Sequence, residues 1–132
     1  MRVLLDTNAY SALFRGDAAV SELVARSEHV FLSAIAAGEL MFGFRGGMRL
    51  RRNMADLNEF LDSSCVTLLP VTFVTAERFG RIAAALREKG RAIPTNDIWI
   101  AAHAMETGAD LVSVDTHFGE IDGLVWVDPS AA

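Results

Sequence analysis

The chain has 132 residues, of which 52% are hydrophobic and 22% charged, so its composition is that of one globular domain and excludes a disordered chain. Acidic residues number 17 and basic residues 12, and the net charge of −5 disfavours a protein that binds nucleic acid through bulk positive charge. The single cysteine, Cys65, cannot form an internal disulfide, which is typical of a reducing compartment. The apolar run before Asp6 is too short for a signal peptide, and no segment has the ~20 apolar residues of a membrane span. We therefore expect a cytoplasmic protein with no membrane association.

Five short apolar runs, rich in branched residues, predict five strands that are covered on both faces. In chain order these runs are 3–5, 30–32, 66–69, 111–114 and 124–127. Helical spacing of apolar residues predicts helices at 50–61 and 79–86, and a further helix is expected to open at Pro94 and end near Gly108. The alternation predicts one α/β domain over residues 1–132, with a central, mostly parallel five-stranded sheet flanked by helices. Residues 128–132 are expected to form a frayed tail.

Four acidic residues fall on four different elements near one predicted edge of the sheet. Asp6 and Asp115 directly follow the first and fourth strands, and chemistry in an open parallel sheet gathers beyond the carboxyl ends of its strands. Asp97 lies in the first turn of the helix that leads into the fourth strand. Glu39 lies on an otherwise apolar helical stripe, in a helix that Ser33 is expected to cap. Each acid alone could be a helix cap, a turn residue or a solvated side chain, but four acids at one edge are hard to explain in that way.

Electrostatics decides what must accompany such a cluster. Two carboxylates at ~5 Å repel by roughly 3 kcal/mol at an effective dielectric constant of about 20. Several such pairs would threaten a domain whose whole stability is about 5–15 kcal/mol. Because no lysine or arginine follows the strands to neutralise them, either protons or divalent cations must do so. Ligands that are all carboxylate oxygens suit Mg²⁺ or Mn²⁺, and such an ion also neutralises a phosphodiester, so an acidic protein can still bind nucleic acid.

Four segments carry these acids in order along almost the whole chain: LLDTN at 4–8, GEL at 38–40, PTNDIWIAA at 94–102 and LVSVDTHF at 111–118. They resemble the corresponding segments of the PIN-domain nucleases and, within that family, those of the VapC toxins of bacterial toxin–antitoxin pairs. The resemblance places four residues at the acidic metal-site positions of the family, which are Asp6, Glu39, Asp97 and Asp115. Many VapC relatives carry Asn at the last of these positions, so this chain lacks none of the acids.

The resemblance also implies an activity, a cofactor and partners. It implies an endoribonuclease that depends on Mg²⁺ or Mn²⁺, with tRNA or rRNA as the usual target, together with a homodimer and a cognate antitoxin that inhibits it. Polar side chains beside the acids would orient the carboxylates, namely Thr7, Asn8, Asn96 and Ser113. We expect the acids to hold a metal directly or through its waters, and hydrolysis by a water that the ion activates to leave a 5′-phosphate and a 3′-hydroxyl.

Basic residues near the middle of the chain are candidate RNA contacts. The four arginines of this cluster are Arg45, Arg49, Arg51 and Arg52. A solvated helix face is the ordinary explanation, but a helix that begins near Met48 would place three of them in its first turn, against the helix dipole. This placement favours contacts with RNA phosphates. His117, two residues after Asp115, is a further candidate for contact with RNA.

Three other functions were compared with this hypothesis. A phospho-receiver domain needs a lysine at a late strand end, but the only lysine, Lys89, falls at the end of a surface helix. A phosphatase of the haloacid dehalogenase type needs Asp-x-Asp after the first strand, where this chain has Asp6, Thr7 and Asn8. A non-catalytic PIN-like module, whose acids bind basic residues of a partner or position nucleic acid, stays open, and chelator-sensitive RNA cleavage would separate it from an enzyme.

Overall fold

Five parallel strands form one sheet in the computed structural model, which describes residues 1–131. The strands are β1 (Arg2–Leu5), β2 (His29–Ser33), β3 (Val66–Leu69), β4 (Asp110–Val112) and β5 (Trp126–Val127). Their order across the sheet is β3-β2-β1-β4-β5, and every neighbouring pair is parallel. The predicted α/β class and five-stranded sheet are confirmed. The sheet was predicted to be mostly parallel, and all of its described strand pairs are parallel.

The helices connect these strands. They are α1 (Thr7–Phe14), α2 (Ala18–Arg26), α3 (Ala34–Arg45), α4 (Leu50–Asp62), α5 (Phe73–Lys89) and α6 (Thr95–Thr107), and a 3₁₀ helix follows β4 at Thr116–Glu120. Ser33 caps α3 through a hydrogen bond from the Ile35 amide, as predicted. Gly108 ends α6 in the left-handed conformation, also as predicted.

Several predicted boundaries differ from the observed ones. Strand β5 spans Trp126–Val127 instead of 124–127, and the helix predicted at 79–86 spans Phe73–Lys89. The fourth strand ends at Val112 instead of residue 114, because the Ser113 hydroxyl accepts the Asp115 amide in a local turn that draws the chain away from the sheet. Helix α4 spans Leu50–Asp62, which confirms the helix predicted at 50–61, but it does not begin near Met48 as the argument about the arginines supposed, and Arg49 is its capping residue. Only two of the arginines therefore lie in the first turn of α4, and the electrostatic argument from the helix dipole is weaker than the sequence indicated.

The central strand β1 is covered on both faces. Leu4 belongs to a large hydrophobic cluster with buried residues of α3, α4, α5 and α6. Val3 and Leu5 belong to a smaller cluster with Ala9 of α1 and Leu23 of α2. Because alternate residues of a strand point to opposite faces, the two clusters lie on opposite sides of the sheet. This burial holds the central strands, and the loops that follow them, in a fixed position.

The strand register brings the carboxyl ends of three strands to one edge. Leu5, the last residue of β1, pairs with Leu32 of β2 and with Val112 of β4. The residues just after or at these ends are Asp6, Ser33 and Ser113, and all three are buried. The predicted gathering point for the acids is therefore a firmly packed part of the molecule.

The end of the chain follows β5. Asp128 accepts hydrogen bonds from the amide and from the hydroxyl of Ser130, and these two bonds close a turn. Ala132, the last residue of the predicted frayed tail, lies outside the described residues. Across residues 1–131, every helix falls short of the length and apolar character that crossing a membrane requires.

Candidate active site

Asp6 is the most deeply buried of the four acids, with 5% of its surface exposed. One carboxylate oxygen accepts the Ala9 amide at 2.8 Å and so caps α1, and the other accepts the Ser113 hydroxyl at 2.5 Å. Burial raises the pKa of Asp6 above its ordinary value, the two hydrogen bonds oppose this shift, and the charges of Asp115 and Glu39 add to it. Asp6 is therefore held rigidly and is electrostatically coupled to two of the other acids.

Glu39 lies on α3 and is held by side chains from two other helices. The Thr7 hydroxyl of α1 donates to its Oε1 at 2.6 Å, and the Asn96 amide of α6 donates to its Oε2 at 3.2 Å. Both contacts join elements that are far apart in sequence. Thr7, Asn96 and Ser113 thus each bind one of the acids, as expected for side chains that orient carboxylates.

Asp97 and Asp115 face each other beside His117. One ligand atom from each of these three residues lies within 4.8 Å of the other two. His117 Nδ1 is 3.0 Å from Asp115 Oδ1 and 3.8 Å from Asp97 Oδ2. Asp115 also accepts the His117 amide at 2.9 Å, which fixes the turn after β4.

The pKa of Asp97 is raised by burial and by the neighbouring acids. Burial is the largest cause that raises it from 3.8 to about 6, followed by the charges of Asp115 and Glu39, while His117 partly opposes the shift. Within residues 1–131, none of the four acids forms an ion pair with a lysine or arginine. The structure therefore brings four carboxylates together and leaves their charge largely uncompensated by the chain itself.

The other predicted site residues divide into two groups. Asn8 is exposed and forms no hydrogen bond with any of the four acids in the described part of the chain. Arg49 and Arg52 line a cavity of 330 Å³ between α1 and α4, whereas Arg45 and Arg51 lie outside its lining. The arginine cluster is thus not one surface, and only half of it faces the cavity.

Two residues near the site were not singled out as functional from the sequence. Arg15, the capping residue at the end of α1, lines the same cavity as Arg49 and Arg52, and its spacing of four residues from Ser11 places both on that face. His103, on α6, is fully buried. Its ring nitrogens lie 2.8 Å from the Ser33 hydroxyl and 3.0 Å from the Pro70 carbonyl, so it ties α6, which carries Asp97, to the start of α3, which carries Glu39.

Comparison with known proteins agrees with this geometry. Residues 3–124 match the family model described as PIN domain. Ribonuclease VapC2 of Haemophilus influenzae is 35% identical over 115 residues, which cover 86% of each chain. The structure of VapBC-1 from nontypeable Haemophilus influenzae superposes with a TM-score of 0.85 at 25% identity, over 98% of this chain and 99% of that one. DNA-bound VapBC from Salmonella typhimurium gives a TM-score of 0.84 at 26% identity, over 98% of both chains. The chain therefore belongs to the PIN-domain family, and within it to the VapC type.

Proposed function

We propose that the chain is a metal-dependent endoribonuclease that hydrolyses RNA phosphodiester bonds and is the toxin of a VapBC-type toxin–antitoxin pair. The observation that carries the proposal is the convergence of four carboxylates from four separate elements, without a lysine or arginine partner in residues 1–131. The relatives named ribonuclease VapC and the solved VapBC complexes support RNA as the substrate and an antitoxin as the partner.

Mg²⁺ or Mn²⁺ fits the donor set of this site. Hard divalent ions prefer carboxylate oxygens, and the residues that would hold one, directly or through water, are Asp6, Glu39, Asp97 and Asp115. The raised pKa of Asp6 and of Asp97 reflects burial and mutual repulsion that a bound cation relieves. When bound, such an ion lowers the pKa of a water ligand and neutralises charge on the phosphodiester.

Hydrogen bonds from other residues of the protein fix the orientation of two of the carboxylates. Ser113 and the Ala9 amide hold Asp6, so that its oxygens stay directed into the site. Thr7 and Asn96 hold Glu39 in the same way. Because the positions of these donors are set by buried strand ends and helix starts, little reorganisation is needed when substrate arrives. Asn8 has no such contact, and we do not retain it as an orienting residue.

His117 is the proposed contact between the site and the RNA. Its side chain is half exposed, at 49%, while its Nδ1 faces Asp115 and Asp97. A ring in this place can donate a hydrogen bond to a phosphate oxygen that approaches from solvent. Arg49 and Arg52 extend the proposed RNA contact along the cavity beside α1.

The partners and location are proposed on the family's pattern. We expect tRNA or rRNA as the target, a cytoplasmic location, a homodimer and an inhibitory antitoxin. Phe42 and Met48, near the end of α3, are exposed by 83% and 101%. Such uncovered apolar side chains suit contact with a partner protein. Phe44, in the same segment of the chain, instead packs against the core.

The test is RNA cleavage by the purified, antitoxin-free protein. Total RNA is incubated with Mg²⁺, with Mn²⁺ and with a chelator, and new 5′ ends are mapped. We expect cleavage only with a divalent ion, and a loss of at least ~100-fold in Asp6→Asn and Asp97→Asn, because each removes a charged ligand.

The matched control is Asp62→Asn, which removes an exposed acid at the end of α4. Circular dichroism verifies that all three variants are folded. Undiminished cleavage by folded Asp6→Asn and Asp97→Asn would refute these roles. RNA binding without cleavage under any metal condition would instead support the non-catalytic module.

A further inference from the structure

A second cavity, of 310 Å³, opens between α1, α2, the loop after β4 and the segment after β5. Two of its lining residues flank the site directly. Asn8 lies two residues after Asp6, and Val114 separates Ser113 from Asp115. The cavity therefore borders the part of the site that Asp6 and Asp115 form.

The lining combines apolar walls with a polar rim to which Asp17 and Ser130 also belong. Ala12, Val20 and Val114 contribute small aliphatic surfaces, and Val114 is 52% exposed. The Asn8 amide is exposed and has no hydrogen-bond partner in residues 1–131. Arg15 lies at the edge of this cavity and also of the cavity beside α4, and it forms no ion pair among the described residues.

These features match one unit of a nucleic acid strand. An unpaired nucleobase has two apolar faces and a polar edge. Proteins that read single-stranded RNA pack side chains against the faces and form hydrogen bonds with the edge. An asparagine amide offers a donor and an acceptor side by side, which pairs with the edge of a base. An aliphatic side chain of a protein partner would fill the walls but leave Asn8 and Arg15 without partners.

We propose that this cavity holds one unpaired base of the RNA substrate, next to the bond that is cleaved. Asn8 reads the edge of the base, and Arg15 contacts the adjoining phosphate. The cavity thus sets which nucleotide stands beside the cleavage site. The inference rests on the proposed ribonuclease function and adds a sequence-reading subsite to it.

The test compares cleavage preferences on a hairpin RNA library whose unpaired loop is randomised. Ala12→Phe places a ring in the cavity, and Asn8→Ala removes the amide. The matched control is Ala92→Phe, which adds the same ring at an exposed position in a different surface cavity. Thermal melts followed by circular dichroism verify folding, and Asn8→Ala, an exposed truncation, provides the answer if Ala12→Phe does not fold.

We expect the unsubstituted protein to prefer one base at a position adjacent to the cut. Both Ala12→Phe and Asn8→Ala should reduce that preference by about tenfold, while Ala92→Phe keeps it. Cleavage by Ala12→Phe and Asn8→Ala with the same preference as the unsubstituted protein would overturn the subsite alone. Weakened antitoxin binding with an unchanged preference would assign the cavity to a protein partner and likewise overturn it. Absence of cleavage by the unsubstituted protein would overturn the ribonuclease function, and this inference with it.

Discussion

Asp6 shows how one carboxylate performs two tasks. From the sequence, helix cap and site ligand were alternative explanations, but the two oxygens divide the work. Oδ1 accepts the Ala9 amide at the start of α1, and Oδ2 accepts the Ser113 hydroxyl. Capping therefore orients the carboxylate rather than removing it from the site. The same holds for Asp115, which caps the 3₁₀ helix and also faces Asp97.

Ser113→Ala tests whether this orientation matters for metal use. The substitution removes the only side-chain hydrogen-bond donor to Asp6 in the described residues, and it also removes the acceptor of the Asp115 amide. We expect the Mg²⁺ concentration for half-maximal RNA cleavage to rise by about 10- to 100-fold. A titration of cleavage rate against Mg²⁺ measures it.

Ser63→Ala is the matched control, because the Ser63 hydroxyl accepts only the Cys65 amide in its own turn before β3. The two variants lose the same hydroxyl, so a change in metal requirement that is specific to Ser113→Ala reports on the site. An unchanged Mg²⁺ midpoint in folded Ser113→Ala would contradict the orienting role.

Some helices and strands were easier to predict from the sequence than others. The strands were recognisable because buried parallel strands are continuous in branched apolar residues, and α6 because proline precedes it and glycine ends it. Helix α2 was not predicted, although Val20, Leu23 and Val24 have helical spacing and Asp17 caps it. A search of the segment after the first strand would have found that signal.

The four arginines that the sequence presented as one cluster form two pairs in the structure. Arg49 and Arg52 are about one turn apart and line the cavity beside α1, whereas Arg45 and Arg51 do not line it. We expect the double variant Arg49→Ala/Arg52→Ala to weaken RNA binding and to flatten the dependence of log K on log salt by about 1 to 2 units, since two phosphate contacts are lost. Binding measured by fluorescence anisotropy over a range of salt concentrations gives this slope.

Arg45→Ala/Arg51→Ala changes the net charge by the same amount and serves as the control. If long-range charge alone governed binding, both double variants would flatten the slope equally. That result would count against a phosphate path along the cavity.

At the scale of the whole molecule, strand order explains why acids at positions 6, 39, 97 and 115 meet. The order β2-β1-β4 places three carboxyl ends side by side. The alternation of elements predicted a parallel sheet whose carboxyl ends share one edge, but it did not predict this strand order. The contacts within the site did not follow from it. The hydrogen bond between Thr7 and Glu39 depends on how α1 and α3 are rotated against the sheet, and the sequence pattern does not determine that rotation.

The charge of the assembled site makes the stability of the metal-free protein depend on pH. The pKa of Asp97 is about 6 in the folded protein against 3.8 ordinarily, and that of Asp6 is also raised. Between these values the folded state binds more protons than the unfolded state, so the contribution of Asp97 to stability is lost as pH rises through about 6. With a chelator present, we therefore expect the free energy of unfolding in urea to be higher at pH 5 than at pH 7, by about 1 kcal/mol from Asp97 alone.

The variant Asp97→Asn tests this cause. At pH 7 it should be more stable than the unsubstituted protein, and its free energy of unfolding should rise less on acidification. Mg²⁺ at pH 7 should stabilise the unsubstituted protein more than this variant. Identical pH profiles for the two metal-free proteins would show that Asp97 carries no such penalty, and that the four carboxylates do not need a cation to coexist.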